Sequence, residues 1–166
     1  MKKIFFYTVV LIGIPFLIVI KFGDFGNSYK EDLIKLDYVS NVNVRVKRVN
    51  LNRVDSINLE SYVVGVVSGE MPASFEIEAL KAQAVASRSY VLKKISDNKN
   101  SSYDVVDTTA NQVYLDDDEL KEKWVDNYVS YSNKVRKAVN DTSLEYLEYN
   151  GKIANTMFFS TSNGYT

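Results

Sequence analysis

Residues 69–94, GEMPASFEIEALKAQAVASRSYVLKK, limit the fold more than any other stretch. Pro72 removes a backbone donor and restricts the residue before it, so a helix arriving from the N-terminal side has to stop near Gly69. A second helix starts near Ser74, with Glu76 and Glu78 favourable to its N-terminal dipole. At about 100° per residue, Ile77, Leu80, Ala84 and Val91 share a face. Ala79, Ala82 and Ala86 form a ridge of small residues on the opposite side, and Gln83, Ser87 and Tyr90 fill a third sector. Apolar or small residues nearly all round predict a central, buried helix. Lys81 and Arg88 lie beside the apolar stripe. They read either as snorkelling or helix-pairing charges, such as Glu78 with Lys81 at i, i+3, or as the lining of a polar cleft, because an unpaired buried charge costs several kcal/mol.

The rest of the chain predicts short strands and further helices around this element. Val42, Val44 and Val46 alternate with Asn43, Arg45 and Lys47, the period of a half-buried strand. Val49, Leu51 and Val54 suggest a second strand after a turn. Asn58 is placed to cap a helix in which Leu59, Tyr62, Val63, Val66 and Val67 share a face, and Gly65 lets another backbone approach. Residues 119–139 read as one helix, with Leu120, Trp124, Tyr128, Tyr131, Val135 and Val139 at three- or four-residue steps. Asn150-Gly151 between two short apolar segments signals a hairpin with a type I′ turn. The fold class is therefore α+β: a mixed domain with short strands around a central buried helix, preceded by a transmembrane helix.

That transmembrane helix rests on the uncharged run Ile4–Ile20, flanked by Lys2-Lys3 and Lys21. Seventeen residues is short for a span and long for a signal-peptide core, and no small-residue cleavage site follows. The reading is an uncleaved anchor over 1–21, lysines inside, a stalk over 22–38, and a single-pass protein at the cell membrane with its domain outside the cytoplasm. A cleaved signal is the other reading of the same run.

Chemistry is bounded by what is missing. The chain has no cysteine and no histidine, which excludes disulfides, thiol nucleophiles, Ser-His-Asp triads and the usual zinc sites. Acid–base work falls to Glu, Asp, Lys or Tyr. A net charge of −1 gives no basic field for nucleic acid. Glu70, just before Met71-Pro72, is by spacing alone an ordinary solvated turn residue. Val66, Val67, Met71 and Phe75 lie close enough in sequence to exclude water from its carboxyl, which a general acid working near neutrality requires. Asp116-Asp117-Asp118-Glu119 reads as a charged helix start rather than a metal cluster. Ser160-Thr161-Ser162-Asn163-Gly164 is either a turn or a substrate-binding loop.

The stretch LESYVVGVVSGEMPASFEIEALKAQAVASRSYVLKK (59–94) resembles the signature of the stage II sporulation protein D family, which also includes the amidase-enhancer proteins. NQVY (111–114), AVNDT (138–142), YNGKIA (149–154) and FFSTSNGYT (158–166) agree with it, so the resemblance covers 42–166. It implies a peptidoglycan lytic transglycosylase acting on glycan strands from which an amidase has removed the stem peptides, in septal wall remodelling during engulfment. The family's catalytic glutamate maps to Glu70. Lys81, Gln83, Arg88 and Tyr90 become candidates for the substrate cleft, and Ser160, Thr161, Ser162 and Gly164 for its opposite wall. The implied partners are glycan strands, the membrane, a cell-wall amidase and membrane proteins of the engulfment machinery. Some members carry metal-binding Cys and His; this chain has neither, so neither metal nor cofactor is expected. Members continue well beyond the S-T-S-x-G-x-T stretch, so 39–166 is expected to be the N-terminal part of the catalytic domain. A non-catalytic wall-binding or amidase-activating module is the alternative.

Overall fold

A computed structural model of the chain describes Tyr7, residues 32–159 and Gly164. The chain divides into two units, 1–31 and 32–166. The anchor expected over 1–21 lies, but for Tyr7, outside the described residues. No helix among the described residues is long and apolar enough to cross a membrane.

In the second unit, the alternating valines form β1 (Asn43–Arg48), which pairs antiparallel with β2 (Arg53–Asn58), Val44 opposite Ile57 and Val46 opposite Asp55. The short β3 (Val105–Val106) adds parallel to the other edge of β1, giving the order β2-β1-β3. Val44, Val46 and Val105 are fully buried. The inward face of β1 does not stop there: Arg48, two residues on, is only 2% exposed. The second strand begins later than the sequence suggests. Val49 and Leu51 are exposed in the turn, where Asn52 takes the left-handed conformation (φ 49°).

The polypeptide passes from β2 straight into α1 (Leu59–Glu70), where the Asn58 side chain accepts from the Glu60 N–H as an N-cap. This helix, not 74–94, is the most enclosed. Residues 59, 60 and 62–68 are all buried. Its valines, Val63, Val64, Val66 and Val67, point to every side and find packing on every side. α2 (Ile77–Asp97) starts three residues later than expected. Leu80, Ala84 and Val91 are fully buried as their shared face predicts, and Ile77 packs against the same core. The opposite ridge is not: Ala82 is exposed and Ala79 and Ala86 are half-buried. An alanine offers little area to bury and is the best helix former, so it serves equally well at the surface. The central-helix expectation is thus corrected to α1.

The predicted helix 119–139 is two. α3 (Asp117–Trp124) and α4 (Tyr128–Asp141) are joined by a 3-10 turn over Val125–Asn127. The break is at Val125, a β-branched residue at φ 44° and 70% exposed. Trp124 and Tyr131 then meet edge to face across the joint, with centroids 5.7 Å apart. Nothing in the apolar spacing marks this interruption, because the step from Trp124 to Tyr128 is kept. α2 packs on both α1 and α4.

Residues 32–38, read as part of a stalk with helical character, run without helix along α4. The Asn133 side chain accepts from the Ile34 N–H (2.7 Å) and donates to the Asp32 carbonyl, and Asn140 does the same for Asp37 and Lys35. A last hairpin pairs β4 (Glu148–Tyr149) with β5 (Lys152–Ile153). Asn150 and Gly151 both have positive φ (50° and 72°), as a type I′ turn requires.

Candidate active site

Glu70 is the last residue of α1. Its Oε1 accepts a 2.7 Å hydrogen bond from the backbone N–H of Val113. Among the described residues no lysine or arginine pairs with it. Val66 and Val67 are fully buried beneath it in the helix and Met71 is half-buried, but Phe75 is 49% exposed. Of the four neighbours expected to exclude water from the carboxyl, Phe75 is thus largely turned to solvent.

The Val113 donor is held in place by close backbone contact. Gly65 and Gly69, one turn apart on α1, face the extended segment 113–115. A Cβ at Gly65 would lie 2.5 Å from the Leu115 carbonyl oxygen and 2.4 Å from the Tyr114 ring, and one at Gly69 would lie 2.6 Å from the Val113 carbonyl oxygen. Only glycine permits this approach. The segment is tied further at Gln112, which is fully buried. Its Oε1 accepts from the Tyr62 hydroxyl (3.1 Å), and its amide nitrogen is 3.5 Å from the Ser87 carbonyl. Asn111 donates to the Tyr90 hydroxyl at 3.0 Å. Tyr62 stacks on Tyr114 at 5.4 Å. Burial raises the Tyr62 phenol well above its usual range, and the fields of Tyr90, Tyr114 and Glu70 add to it. Tyr62 is therefore a neutral donor in this network.

Two lysines fasten the turn that carries Glu70. Lys123 donates to the Ser68 carbonyl (2.8 Å), one of the carbonyls the end of α1 leaves open, and Lys134 donates to the Ser74 and Phe75 carbonyls. Burial lowers the Lys123 pKa.

Arg88 is 1% exposed and lies in the core. Its Nε and Nη2 donate to the two oxygens of Glu60 at 3.1 and 2.7 Å, and its Nη1 donates to the Glu145 carbonyl at 3.0 Å. Glu60 is itself 1% exposed. The buried charge is thus resolved by a bidentate partner rather than by an open cleft. Lys81 takes the helix-pair reading, bonding Glu78 at 2.9 Å and also Asp141 at 3.1 Å; both carboxylates raise its pKa, through their hydrogen bonds first. Gln83 donates to Ser87 one turn on. Tyr90 is 8% exposed and lines a small cavity with Asn111, Thr156 and Phe158, of about 130 Å³. Thr156 anchors that strand of chain on α2 through the Ala86 carbonyl (2.6 Å). Gly164 is exposed with φ 92°. Ser160, Thr161 and Ser162 lie outside the described residues. The structure therefore gathers Glu70, Tyr62, Gln112, Asn111 and Tyr90 around the 111–114 segment, and keeps Lys81 and the Arg88 guanidinium in other contacts.

The run 116–119 is a helix start. Asp116 accepts from the Asp118 and Glu119 N–H groups, and Glu119 accepts from the Asp116 N–H, a reciprocal capping box. The same carboxylates surround Arg48, which bonds Asp107 (3.0 Å), Asp116 (3.0 Å) and Glu119 (2.7 Å) and lies 5.2 Å from the Tyr114 ring centre. Burial opposes the charge on Arg48, but the bonds to Asp116 and Asp107 outweigh it and its pKa is raised. Burial, joined by the fields of Asp116, Glu119 and Asp55, pushes the Tyr114 phenol up to about 12, with Arg48 opposing. Among the described residues no group of three or more carboxylates is arranged to hold a metal ion.

Sequence reasoning missed Glu60, Arg48 and the Val113 donor. Glu60 had a visible signal, since it occupies the second position of the signature that Leu59 opens and is the one charge on that helix before its last residue, Glu70.

A family model described as stage II sporulation protein matches residues 47–149. The chain is 43% identical over 133 residues to the stage II sporulation protein D of Bacillus subtilis and 42% identical to that of Bacillus amyloliquefaciens, in each case over 76% of this chain and 38% of the relative. It is 38% identical over 102 residues to the amidase enhancer of Bacillus subtilis, covering 61% of this chain and 12% of that protein. The chain thus spans 38% of the length of the two sporulation proteins it matches. A match over this span, running through β2, α1, α2 and the segment that meets Glu70, makes the chain a member of the stage II sporulation protein D family.

Proposed function

We propose that the protein is a lytic transglycosylase that cleaves peptide-free peptidoglycan strands between N-acetylmuramic acid and N-acetylglucosamine, with Glu70 as its acid and base. The observation that carries this reading is the Glu70 carboxylate itself: fixed at one oxygen by a backbone N–H, free of ion pairs among the described residues, and set at the end of a helix whose preceding Val66 and Val67 are fully buried. A carboxyl so held can give a proton to the glycosidic oxygen as the C1–O bond breaks. It then takes the proton of the muramic 6-hydroxyl as that oxygen bonds to C1. The product is a 1,6-anhydro end. The sugar supplies its own nucleophile, so one carboxylate does what most glycosidases divide between two. The reaction belongs outside the cytoplasm, as the lysine-flanked run 4–20 would place it, and in the septal wall of a sporulating cell, alongside an amidase that strips the stem peptides and membrane proteins of the engulfment machinery.

The name of one relative, amidase enhancer, favours a second reading: a non-catalytic module that binds wall glycan or activates an amidase. One experiment separates the two. Peptide-free glycan strands are incubated with the protein and with Glu70→Gln, and new 1,6-anhydro ends are counted. The enzyme reading expects release that falls by about 10²–10⁴-fold in the variant, with strand binding retained. Binding without anhydro ends from either protein supports the module. Full turnover by Glu70→Gln removes Glu70 from the chemistry.

A further inference from the structure

The two oxygens of Glu70 are not equivalent. Oε1 accepts from the Val113 N–H at 2.7 Å, and Oε2 makes no hydrogen bond among the described residues. A backbone N–H can only donate, so the oxygen that faces it is the one without a proton. In the protonated acid, Oε1 is therefore the carbonyl-like oxygen and the proton sits on Oε2.

Val113 holds its place because one side chain grips both of its neighbours. Tyr62, on α1 about two turns before Glu70, is fully buried. Its hydroxyl donates to Gln112 Oε1 at 3.1 Å, and its ring stacks on Tyr114 with centroids 5.4 Å apart and planes 9° from parallel. Gln112 and Tyr114 are buried, and Val113 between them is half-buried. The main chain is fixed just beyond, where the Tyr114 N–H donates to the Asp107 carbonyl (3.3 Å) and the Leu115 N–H to the Gly65 carbonyl (3.4 Å). Glu70 is near enough for its field to reach the Tyr62 phenol. A buried tyrosine hydroxyl usually finds a partner, so the bond to Gln112 alone would be ordinary packing. A single side chain that holds the residues on both sides of a carboxylate's donor, from the same helix as the carboxylate, does more than fill the core.

We propose that Tyr62, acting through Gln112 and Tyr114, is a positioning residue for Glu70: it holds the Val113 N–H on Oε1 and so commits Oε2 to proton transfer. This rests on the reading of Glu70 as acid and base. The proton leaves Oε2 for the glycosidic oxygen as the C1–O bond breaks, and the charge left on the carboxylate meets an N–H already in place. Oε2 then takes the proton of the 6-hydroxyl as that oxygen bonds to C1, which restores the acid. Without the grip of Tyr62 the amide shifts, the proton can sit on either oxygen, and fewer carboxyls face the bond in the productive way.

The test compares the full chain with Tyr62→Phe, which keeps the ring and its stacking but loses the hydroxyl, and with Tyr62→Phe/Gln112→Met, which removes both polar partners. Each is read by Tm, by hydrogen exchange at the Val113 amide, and by kcat and KM for release of 1,6-anhydro ends from peptide-free strands. The single variant leaves a buried acceptor open and should lose stability, and the double variant should recover much of it. In both, the Val113 amide should exchange at least about tenfold faster while the amides of α1 keep their protection. In both, kcat should fall at least about tenfold, with KM within about twofold of wild type. A double variant that is stable yet slow is what a purely structural role does not produce. A kcat that returns with stability in the double variant, or wild-type turnover or wild-type protection of Val113 in folded Tyr62→Phe, overturns the positioning role and leaves Glu70 as the acid. No anhydro ends from the wild type overturns the acid reading and the positioning role together, so the two failures are told apart.

Discussion

Two buried arginines show two ways of keeping a guanidinium inside a small domain. Arg88 sits between α1 and α2 with a single carboxylate, Glu60, and both are 1% exposed. Arg48 sits at the end of β1, as deeply buried at 2%, but its partners Asp107, Asp116 and Glu119 are 11%, 34% and 43% exposed. The first is a closed pair in which neither charge has recourse to water. The second is one cation shared among carboxylates that keep part of their hydration. Burial of the arginine is the same; the difference lies in what happens when one member is lost.

The largest effect is expected at the closed pair. Glu60→Gln or Arg88→Met alone leaves an uncompensated charge in the core and should destabilise by about 3–5 kcal/mol, read as the urea midpoint. Changing both, Glu60→Leu with Arg88→Met, should recover much of the loss. A double variant as unstable as the sum of the singles would mean that the two residues act independently, Arg88 through the Glu145 carbonyl rather than through Glu60.

Next is Gly65→Ala. Its Cβ would strike the Leu115 carbonyl oxygen and the Tyr114 ring, so overpacking should cost about 1–3 kcal/mol. The amide of Val113 should lose protection from hydrogen exchange at the same time. Stability lost with Val113 still protected would separate the glycine contact from the Glu70 bond.

The shared cation should be more forgiving. Removal of one carboxylate, Glu119→Gln, leaves Asp107 and Asp116 on Arg48 and an amide oxygen for the capping box, and should cost at most about 1 kcal/mol. The pH dependence has a definite sign. Burial works against the charge on Asp116, but the Glu119 N–H and Arg48 outweigh it and hold the carboxyl below its usual range in the folded chain. Its stabilising contribution is therefore complete above the ordinary Asp value of about 3.9 and is lost as pH falls toward the lower folded value. Arg48→Met should flatten that acid limb. An unchanged limb would place the acid sensitivity elsewhere.

The smallest effect should come from Val125→Gly. The residue is exposed and left-handed, so glycine removes backbone strain with little packing lost and should raise stability by up to about 1 kcal/mol. A loss would show that the Val125 side chain, not its backbone, fixes the α3–α4 joint.

What could be read from the sequence was local. The Asn58 cap, the Asp116–Glu119 helix start, the Asn150-Gly151 turn and the valine alternation of β1 each come from a few adjacent residues, and each is present. Glu70 at the end of a helix was legible from Pro72. What escaped depends on pairing across distance. Arg48 continues the inward face of β1, but a charged residue ends a hydrophobic pattern by eye. Its partners lie 59 to 71 residues away. Arg88 was marked as a charge needing an explanation, but its explanation, Glu60, sits on another helix. The exchange of roles between α1 and α2 turned on the alanine ridge, whose composition is the same whether it faces protein or water. The Val113 donor to Glu70 is a main-chain group, which no side-chain pattern can announce.

The main-chain origin of that donor bears on how the chain tolerates change. The bond to Glu70 comes from an amide that every residue except proline carries, and its distance from the helix is gauged by Gly65 and Gly69 against bare backbone. The identity of residue 113 is therefore nearly silent at the carboxylate, while two positions that touch no proton at all, 65 and 69, set its geometry. Mutational drift in this region should be permissive where the hydrogen bond is made and strict where the spacing is kept.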